Sequence, residues 1–572
     1  MGEKVYQLSI VGFGARGLHA LELFYSSLSR KRNNIQSQTI IFETRKNLGT
    51  GLAWDPDQTS ANCSNIADRA MDTLHGRQEF TVNNVIVPAF PSYLEWLDEV
   101  MEVQVDNEKD SYSPRKVTGA YLAQRARSIL EPLQIIRMVE LCKERITNIQ
   151  QSGNQFTLTS MAGKKYSCEN VLLALGHLPT RMSNLNKKCL EHAQQSGIRF
   201  SNTPCTATAQ EIYHDSKTIL IKGLGLSMID VVRMIVKNRG GAFAQESNSI
   251  FLKFMGTTDV QIVPYSLDGL AMVPKPIGKR VDDNFNPINA GKAEMLARLK
   301  DDIAANKIKT VEDILYPIAR IVMKIYKGFE KTYSGQSIEA ETGAALVVEW
   351  FKNPLTKSDH IMDTSMPIVE YMKLTCKMSH GQIAFSLDYT AGQVWREMQI
   401  DMYHLFTYGL LPDLLVAEFI QINEQVKRYS FGPPVATILQ LIALQEAGVL
   451  NLDFHHDPKI KLSENGYEIS NLSQSILCDA MVDSVLPRPN MREITDDLMK
   501  SILEKPLAEQ FAKHLGIRVS DRAQHLLNSC PVAGLYTIGR NAKGSIYGVD
   551  SILECFNSDR MQPVMDDIIN RL

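Results

Sequence analysis

Two short glycine turns carry the clearest chemistry in this chain. The first, Gly12-Phe13-Gly14-Ala15-Arg16-Gly17, follows the largely apolar run Val5–Val11. The second, Gly223-Leu224-Gly225-Leu226-Ser227, follows Thr218–Lys222. Each reads as a buried strand, a tight turn and the first turn of a helix. That geometry brings backbone N–H groups and the positive end of a helix close to a pyrophosphate. The first turn therefore offers Gly12, Gly14, Ala15, Arg16 and Gly17 to one dinucleotide, and the second offers Gly223, Gly225, Leu226 and Ser227 to another. The common chemical reason for two dinucleotides in one protein is a flavin, FAD, reduced by a nicotinamide cofactor. Glu43 ends the strand Thr39–Phe42, where an acid ordinarily accepts hydrogen bonds from a ribose. It lies a little beyond the usual ~20 residues past the turn, and the polar loop Arg30–Ser37 accounts for the excess.

Other chemistries find little support. The nine cysteines include no CxxC pair, which argues against a dithiol redox centre, a zinc ribbon and a disulfide framework. No histidine pair has metal-ligand spacing: His455 and His456 are adjacent and point to different faces of a strand, so no metal is expected. His177 reads as structural. Arg239, Lys253 and Lys275 are rivals for a cofactor 2′-phosphate, and the residues alone do not choose among them.

These groups need elements to hold them. The pattern predicts an α/β class: two Rossmann-like dinucleotide-binding domains with a helical insertion. In the first unit, strand Leu8–Val11 leads to an apolar helix, Leu18–Leu28. An aromatic helix around Tyr93–Leu97 follows, then a helix over Gly119–Leu130 and strands at Phe156–Leu158 and Val171–Leu175. In the second unit the helix Met228–Val236 ends at Asn238-Arg239-Gly240-Gly241. Strand signals then fade. Ala293–Ile303, Val311–Tyr326, Ala344–Phe351, Gln393–Phe406 and Leu414–Lys427 read as helices. Strands return at Ile476–Asp483 and Gly534–Ile538, and a last helix is expected from Ser551 to Phe556 or beyond. The expected division is 1–180 for the first part of the FAD unit, 181–280 for the first part of the NAD(P) unit, and 281–430 for a helical insertion over the substrate. Residues 431–490 return to the NAD(P) unit and 491–572 to the FAD unit.

At 572 residues the chain exceeds one ordinary core. A net charge of −3 offers no bulk attraction to nucleic acid or to anionic membrane. No apolar run reaches the ~18 residues of a membrane span. Met1-Gly2-Glu3 leads directly toward a strand without a signal-peptide pattern, and the sixth residue, Tyr6, is not the Ser or Thr of a myristoylation site. A cytoplasmic protein with free thiols is the expectation.

Several further segments resemble the bacterial FAD/NAD(P)-binding proteins of the two-dinucleotide-domain flavoprotein group, in a branch related to the flavin-dependent N-hydroxylating monooxygenases. Gly49–Asn65 is similar to that group's glycine–tryptophan loop followed by an asparagine. Ser113-Pro114-Arg115 with Gly119-Ala120-Tyr121-Leu122 resembles its PR…GxYL segment, and Ala174–Pro179 its crossover between domains. Phe431-Gly432-Pro433-Pro434-Val435 and Asp483 with Pro487-Arg488-Pro489 match two more of its stretches. There are two departures. Gly539 is followed by Arg540 where the group often has an acid, and Tyr265–Gly269 lacks an arginine often found after the serine.

The resemblance implies FAD and NADPH, with NADH as a second donor, and adds Trp54, Gly176 and Gly539 to the cofactor-binding residues. It implies Asn65 as a catalytic side chain close to the flavin, its alternative role being a loop asparagine that satisfies backbone. The activity implied is a monooxygenase that N-oxidises a small amine or amino acid with molecular oxygen through a C4a-hydroperoxyflavin. The alternatives are an FAD-dependent NAD(P)H oxidoreductase without oxygen insertion and a non-catalytic flavin-binding sensor or scaffold. Baeyer–Villiger chemistry is disfavoured, because no FxGxxxHxxxW pattern precedes the second turn.

Overall fold

The computed structural model describes residues 4–572 apart from 33, 107, 205, 206, 257, 258, 513 and 521. The reading of Met1–Glu3, and residue 33 of the Arg30–Ser37 loop, therefore lie outside the described residues.

The larger of the two main sheets, with a parallel centre, is built on a short, largely apolar strand, Val5–Val11. It pairs in parallel with Thr39–Phe42 on one side and Lys165–Leu173 on the other. Val139–Cys142 extends the sheet beyond Thr39–Phe42, and Cys530–Thr537 extends it beyond Lys165–Leu173. The final strand thus returns from the end of the chain to the first unit. A hairpin, Ile146–Ser152 with Gln155–Ser160, hangs from Lys165–Leu173 in antiparallel pairing. The registers Val11↔Phe42, Val11↔Leu173 and Leu173↔Thr537 align the carboxyl ends of four strands. Whatever follows those ends must converge on one edge, and in open α/β sheets that edge is where ligands bind.

The second sheet is all parallel in the order Gln261–Tyr265, Thr218–Lys222, Ala480–Asp483, Arg199–Ser201. Lys222 is level with Tyr265 and Asp483, so Gly223 emerges between two neighbouring strand ends. A three-stranded antiparallel sheet, Lys459–Ser463, Gly466–Ser470 and Ser475–Cys478, packs beside it.

The helical block is inserted between Gln261–Tyr265 and Ala480–Asp483, two strands of the second sheet. The predicted helices are present as Lys292–Ala304, Glu312–Lys327, Ala340–Lys352 and Asp413–Ser430. The segment Gln393–Phe406 is two helices, Leu387–Glu397 and Gln399–Phe406, because the backbone leaves the helical region at Met398. Two further helices, Ile368–Ser379 and Val435–Glu446, each start directly after a proline, Pro367 and Pro434. Proline fits a helix start because the missing N–H would lack a helical partner there. The block shares one hydrophobic core with the second sheet, including Trp350, Trp395 and Phe419.

The last helix, expected from Ser551 to Phe556 or beyond, starts later and spans Ser558–Asn570. Ahead of it, the Arg16 guanidinium holds the carbonyls of Val549 and Ser551, at 2.7 and 3.4 Å. The helix proper starts where the Asn557 side chain accepts from Asp559 N at 3.0 Å. It packs on Ala15–Lys31, the helix of the first glycine turn.

Candidate functional site

At the edge of the first sheet lies a cavity of 490 Å³. Gly12, Gly14, Ala15, Arg16, Glu43, Trp54, Gly176 and Gly539 all line it. The three glycines of the first turn do different work. Gly12 has φ +90, and a Cβ there would meet the Ala174 carbonyl at 2.6 Å, so the turn itself requires glycine. Gly17 is buried behind the cavity, where a Cβ would meet the Gly12 carbonyl at 2.7 Å, so it sets how closely helix and strand pack. Gly14 caps the helix at φ −83 and ψ −165, and a Cβ there would lie 3.5 Å from Gly51 Cα. The protein alone has room for a side chain at Gly14. What needs glycine there is a ligand that touches the backbone.

Glu43 closes the floor of this cavity. Its carboxylate accepts from Phe13 N and Arg45 N, both at 2.9 Å. Gly539 has φ +80 and lies against Arg16, whose Cδ would be 2.9 Å from a Cβ. Gly176 has φ +65 and its carbonyl accepts from Asn541 Nδ2 at 3.2 Å.

A second cavity of 960 Å³ runs between both sheets and the helical block. Leu226 and Ser227 of the second turn open into it, with Asn65 on the facing loop. Gly223, at φ +116, sits behind them, where a Cβ would meet Ser484 Oγ at 2.7 Å. Gly225 repeats the logic of Gly14: it caps the Leu226–Asn238 helix at φ −88, with nothing within 4 Å of a Cβ. Trp54, His177, Arg540 and Asp550 line both cavities, so the two adjoin and share part of a wall. The two glycine cradles, the acid at the strand end and the adjoining cavities fit FAD on the first turn and a nicotinamide dinucleotide on the second.

Charged groups cluster at that junction. Asp550 accepts from Lys427 at 2.6 Å, Lys543 at 2.8 Å and Arg540 at 2.6 Å. Glu424 accepts from both lysines at 2.7 Å. Burial opposes charge on Asp550, yet the three cations outweigh it and hold its carboxyl well below the usual range. Arg540, which follows Gly539, is thus salt-bridged to an acid on the same wall, Asp550.

Asn65 lies on the wall of the large cavity, its Nδ2 donating to the Phe431 carbonyl at 3.3 Å. Its own carbonyl accepts from Lys275 Nζ at 2.7 Å. Around Lys275 stand Arg69, Tyr112, Asp282, Arg396 and Glu397, all lining the same cavity. Arg69 pairs with Asp110 at 2.6 Å and Asp282 at 2.9 Å, and Arg396 pairs with Asp282 and, at 2.8 Å, with Glu397. Asp282, Arg396 and Glu397 escaped the sequence reading because they come from segments far apart and form no local motif. Of the three rivals for a 2′-phosphate, Arg239 is bonded to Asp259 and to the Tyr213 and Ser216 carbonyls, and Lys253 is exposed on an outer hairpin. Only Lys275 faces the cavity.

Family segments find their reasons here. Gly119 is glycine because the Trp54 carbonyl presses on its helix. Arg115 pairs with Asp230 of the second turn's helix, joining the two dinucleotide units. Gly432 is glycine because the Val273 carbonyl leaves no room for a Cβ. His455 Nδ1 bonds the Leu452 carbonyl at 2.6 Å, and among the described residues no group of side chains is arranged to hold a metal ion. The described cysteines are free thiols, and no described helix is long and apolar enough to cross a membrane.

Fold and site together define a flavoprotein with two dinucleotide-binding units. Residues 9–178 match the sequence profile of the FAD-NAD(P)-binding family, so the N-terminal unit is an FAD-NAD(P)-binding domain. The nitrosuccinic acid synthase of Aspergillus oryzae is 22% identical over 538 residues, covering 87% of this chain and 81% of that protein. Among solved structures, L-lysine 6-monooxygenase from Pseudomonas syringae aligns with a TM-score of 0.50 at 11% identity, over 99% of this chain and 100% of its own. The ornithine N-hydroxylase of Kutzneria sp. 744 aligns with a TM-score of 0.45 at 11% identity, over 99% of this chain and 100% of its own.

Proposed function

We propose that this protein is an FAD-dependent, NAD(P)H-consuming monooxygenase that N-oxidises a small amino acid. The observation that carries the reading is a pair of adjoining cavities, the first dinucleotide turn opening into one and the second turn with Asn65 into the other. Gly12, Gly14, Glu43, Gly176 and Gly539 would hold FAD, and Gly225, Leu226 and Ser227 the nicotinamide cofactor. Bound flavin supplies hydride acceptance and oxygen activation. The chain's own part is to bind, orient and exclude water. The helical block roofs the large cavity with Arg396, Gln399, Asn423 and Glu424. A roof of this kind limits the water that competes with an oxygen-transfer reaction.

The amino-acid assignment draws on the relative's name and on the cavity wall. Nitrosuccinic acid is a dicarboxylic acid bearing an oxidised nitrogen, and the amine of the same skeleton is a dicarboxylic amino acid. In this chain Arg396 and Ser430 stand on the cavity wall, and a guanidinium there supports a carboxylate as ligand.

The test is to purify the protein with FAD and follow NADPH, NADH and oxygen consumption over an amino-acid panel that includes aspartate, lysine and ornithine. Product is read by mass as oxygen added to nitrogen. Cofactor oxidation matched entirely by hydrogen peroxide, with no oxygenated product from any amine, would overturn the reading in favour of a non-inserting oxidoreductase.

A further inference from the structure

N-oxidation needs a free amine, because an ammonium has no lone pair to attack an electrophilic oxygen. An aliphatic amine titrates near ~10.4, so at pH 7 only about one molecule in 2,500 is neutral. A site that works at neutral pH therefore gains from a base beside the substrate nitrogen.

Lys275 stands where such a base belongs. Its segment is wedged between two helices and the FGPP stretch: Val273 N donates to the Arg428 carbonyl at 3.0 Å, Lys275 N to the Pro433 carbonyl at 3.4 Å, and Ile277 N to the Ser379 carbonyl at 2.9 Å. The Lys275 carbonyl accepts from Ser379 Oγ. With the backbone fixed on both sides, Nζ reaches the Asn65 carbonyl at 2.7 Å on the cavity wall. A neutral amine that donates there keeps a lone pair for a proton. The groups around it are Arg69, Asp110 and Tyr112 from the first unit, Asp282 from the Gly278–Asp282 turn of helix, and Tyr389, Arg396 and Glu397 from the block. Burial pushes the Lys275 ammonium down to about 7; Arg396 adds to that push, while Asp282, Glu397 and Asp110 oppose it. The Asn65 loop, the FGPP stretch and the helical block thus converge on one amine.

We propose that Lys275 is the base that takes a proton from the substrate's ammonium group. The N–H bond of the ammonium breaks, its electron pair stays on the substrate nitrogen, and the proton passes to the Lys275 Nζ lone pair. Lys275 becomes an ammonium held near Asp282, Glu397 and Asp110, and it returns the proton to solvent through the cavity. The proposal rests on the N-oxidation reading.

The test compares pH profiles of product formation at saturating amine for the wild type, Lys275→Met and Lys275→Arg. Arginine keeps a charge but cannot act as a base, because its pKa exceeds about 12. The active form of Lys275 is neutral, so wild-type turnover rises with pH through about 7 and then levels. Both variants are expected to lose about 100-fold at pH 7, in the ordinary range for a general base. They recover as pH approaches the substrate's own pKa near ~10. FAD content and anaerobic reduction by NADPH, measured alongside, separate a misassembled site from a lost base. A loss of the same size at every pH would overturn the proposal. So would a raised KM for NADPH with an unchanged pH profile, which would place Lys275 on the nicotinamide cofactor. A lysine-selective 15N NMR titration of the wild type gives a readout independent of turnover, and a Lys275 signal moving near ~10 would also refute the role. If the wild type oxidises no amine at all, the N-oxidation reading fails and the base role falls with it. If product forms and only the pH signature is missing, the base role fails alone.

Discussion

Replacing Gly14 by alanine separates what the fold needs from what the ligand needs. The added Cβ would lie 3.5 Å from Gly51 Cα and 3.6 Å from Gly51 N, ordinary contact distances, and φ is −83. Two small terms act on the apo-protein. Alanine is a poorer helix cap than glycine, and it also removes freedom from the unfolded chain, which stabilises by about 0.4–1 kcal/mol. They oppose each other, so apo stability should stay within about 1 kcal/mol of wild type. The ligand sees a different change: the methyl group occupies the space through which a pyrophosphate approaches the turn. Losing one hydrogen bond to a charged group costs roughly 1.5–3 kcal/mol. At 1.4 kcal/mol per tenfold, FAD affinity should fall by about 10- to 150-fold. Flavin fluorescence quenching gives the affinity, and thermal unfolding with and without FAD gives the stability. Wild type at 100 times its dissociation constant gains about 2.7 kcal/mol from the ligand, and Gly14→Ala at the same FAD concentration should lose half or more of that gain. Gly12→Ala is the contrast: at φ +90 with the Ala174 carbonyl 2.6 Å away, it should destabilise the apo-protein itself. A Gly14→Ala protein that binds FAD like the wild type, or whose apo form is as damaged as that of Gly12→Ala, would refute the assignment of the first turn.

Gly225→Val should leave FAD bound but slow its reduction by NAD(P)H at least tenfold in stopped flow, because only the second turn is blocked; lost flavin with normal reduction would reverse the two assignments. Asn65→Ala removes the Nδ2 bond to Phe431 and keeps the carbonyl that receives Lys275. If the amide also meets a strongly polar reacting group, the loss of roughly 1.5–3 kcal/mol raises the hydrogen-peroxide leak by about 10- to 150-fold, and unchanged coupling of NADPH to product would remove Asn65 from the chemistry. Away from the cavity, Glu22 is buried between Arg77 at 2.9 Å and Arg125 at 2.7 Å; Glu22→Gln leaves two buried cations short of a partner and should cost about 3–5 kcal/mol in chemical denaturation. Burial alone would raise the Glu22 carboxyl, but Arg125 and Arg77 hold it down to about 2. Its stabilisation is thus complete above pH ~5 and lost as pH falls toward 2, and the variant's acid unfolding profile should be flatter across that window.

What the sequence disclosed and what it hid follow from how far each signal extends along the chain. A dinucleotide turn is a local object: strand, glycine and helix lie within about fifteen residues, so Gly12, Gly14 and Gly223 were legible with the conformations they adopt. The last helix starts later than the apolar pattern suggests: Asn557 caps it, and the segment before it is held by Arg16, more than five hundred positions away, which takes the carbonyls of Val549 and Ser551. The helices Ile368–Ser379 and Val435–Glu446 had a local signal in Pro367 and Pro434, but FGPP also read as a family segment, and that hid the helix start. Lys275 was visible only as one of three cations that a phosphate would suit. Its distinct character needs the Asn65 loop, the FGPP stretch and the Leu387–Glu397 helix in place at once, and none of these announces the others. The glycine in FGPP is the nearest thing to a trace: Gly432 has no side chain because the Val273 carbonyl passes there, two residues before the lysine. Sequence thus marked the close approach of two backbones, while the chemistry that this approach positions became visible only in three dimensions.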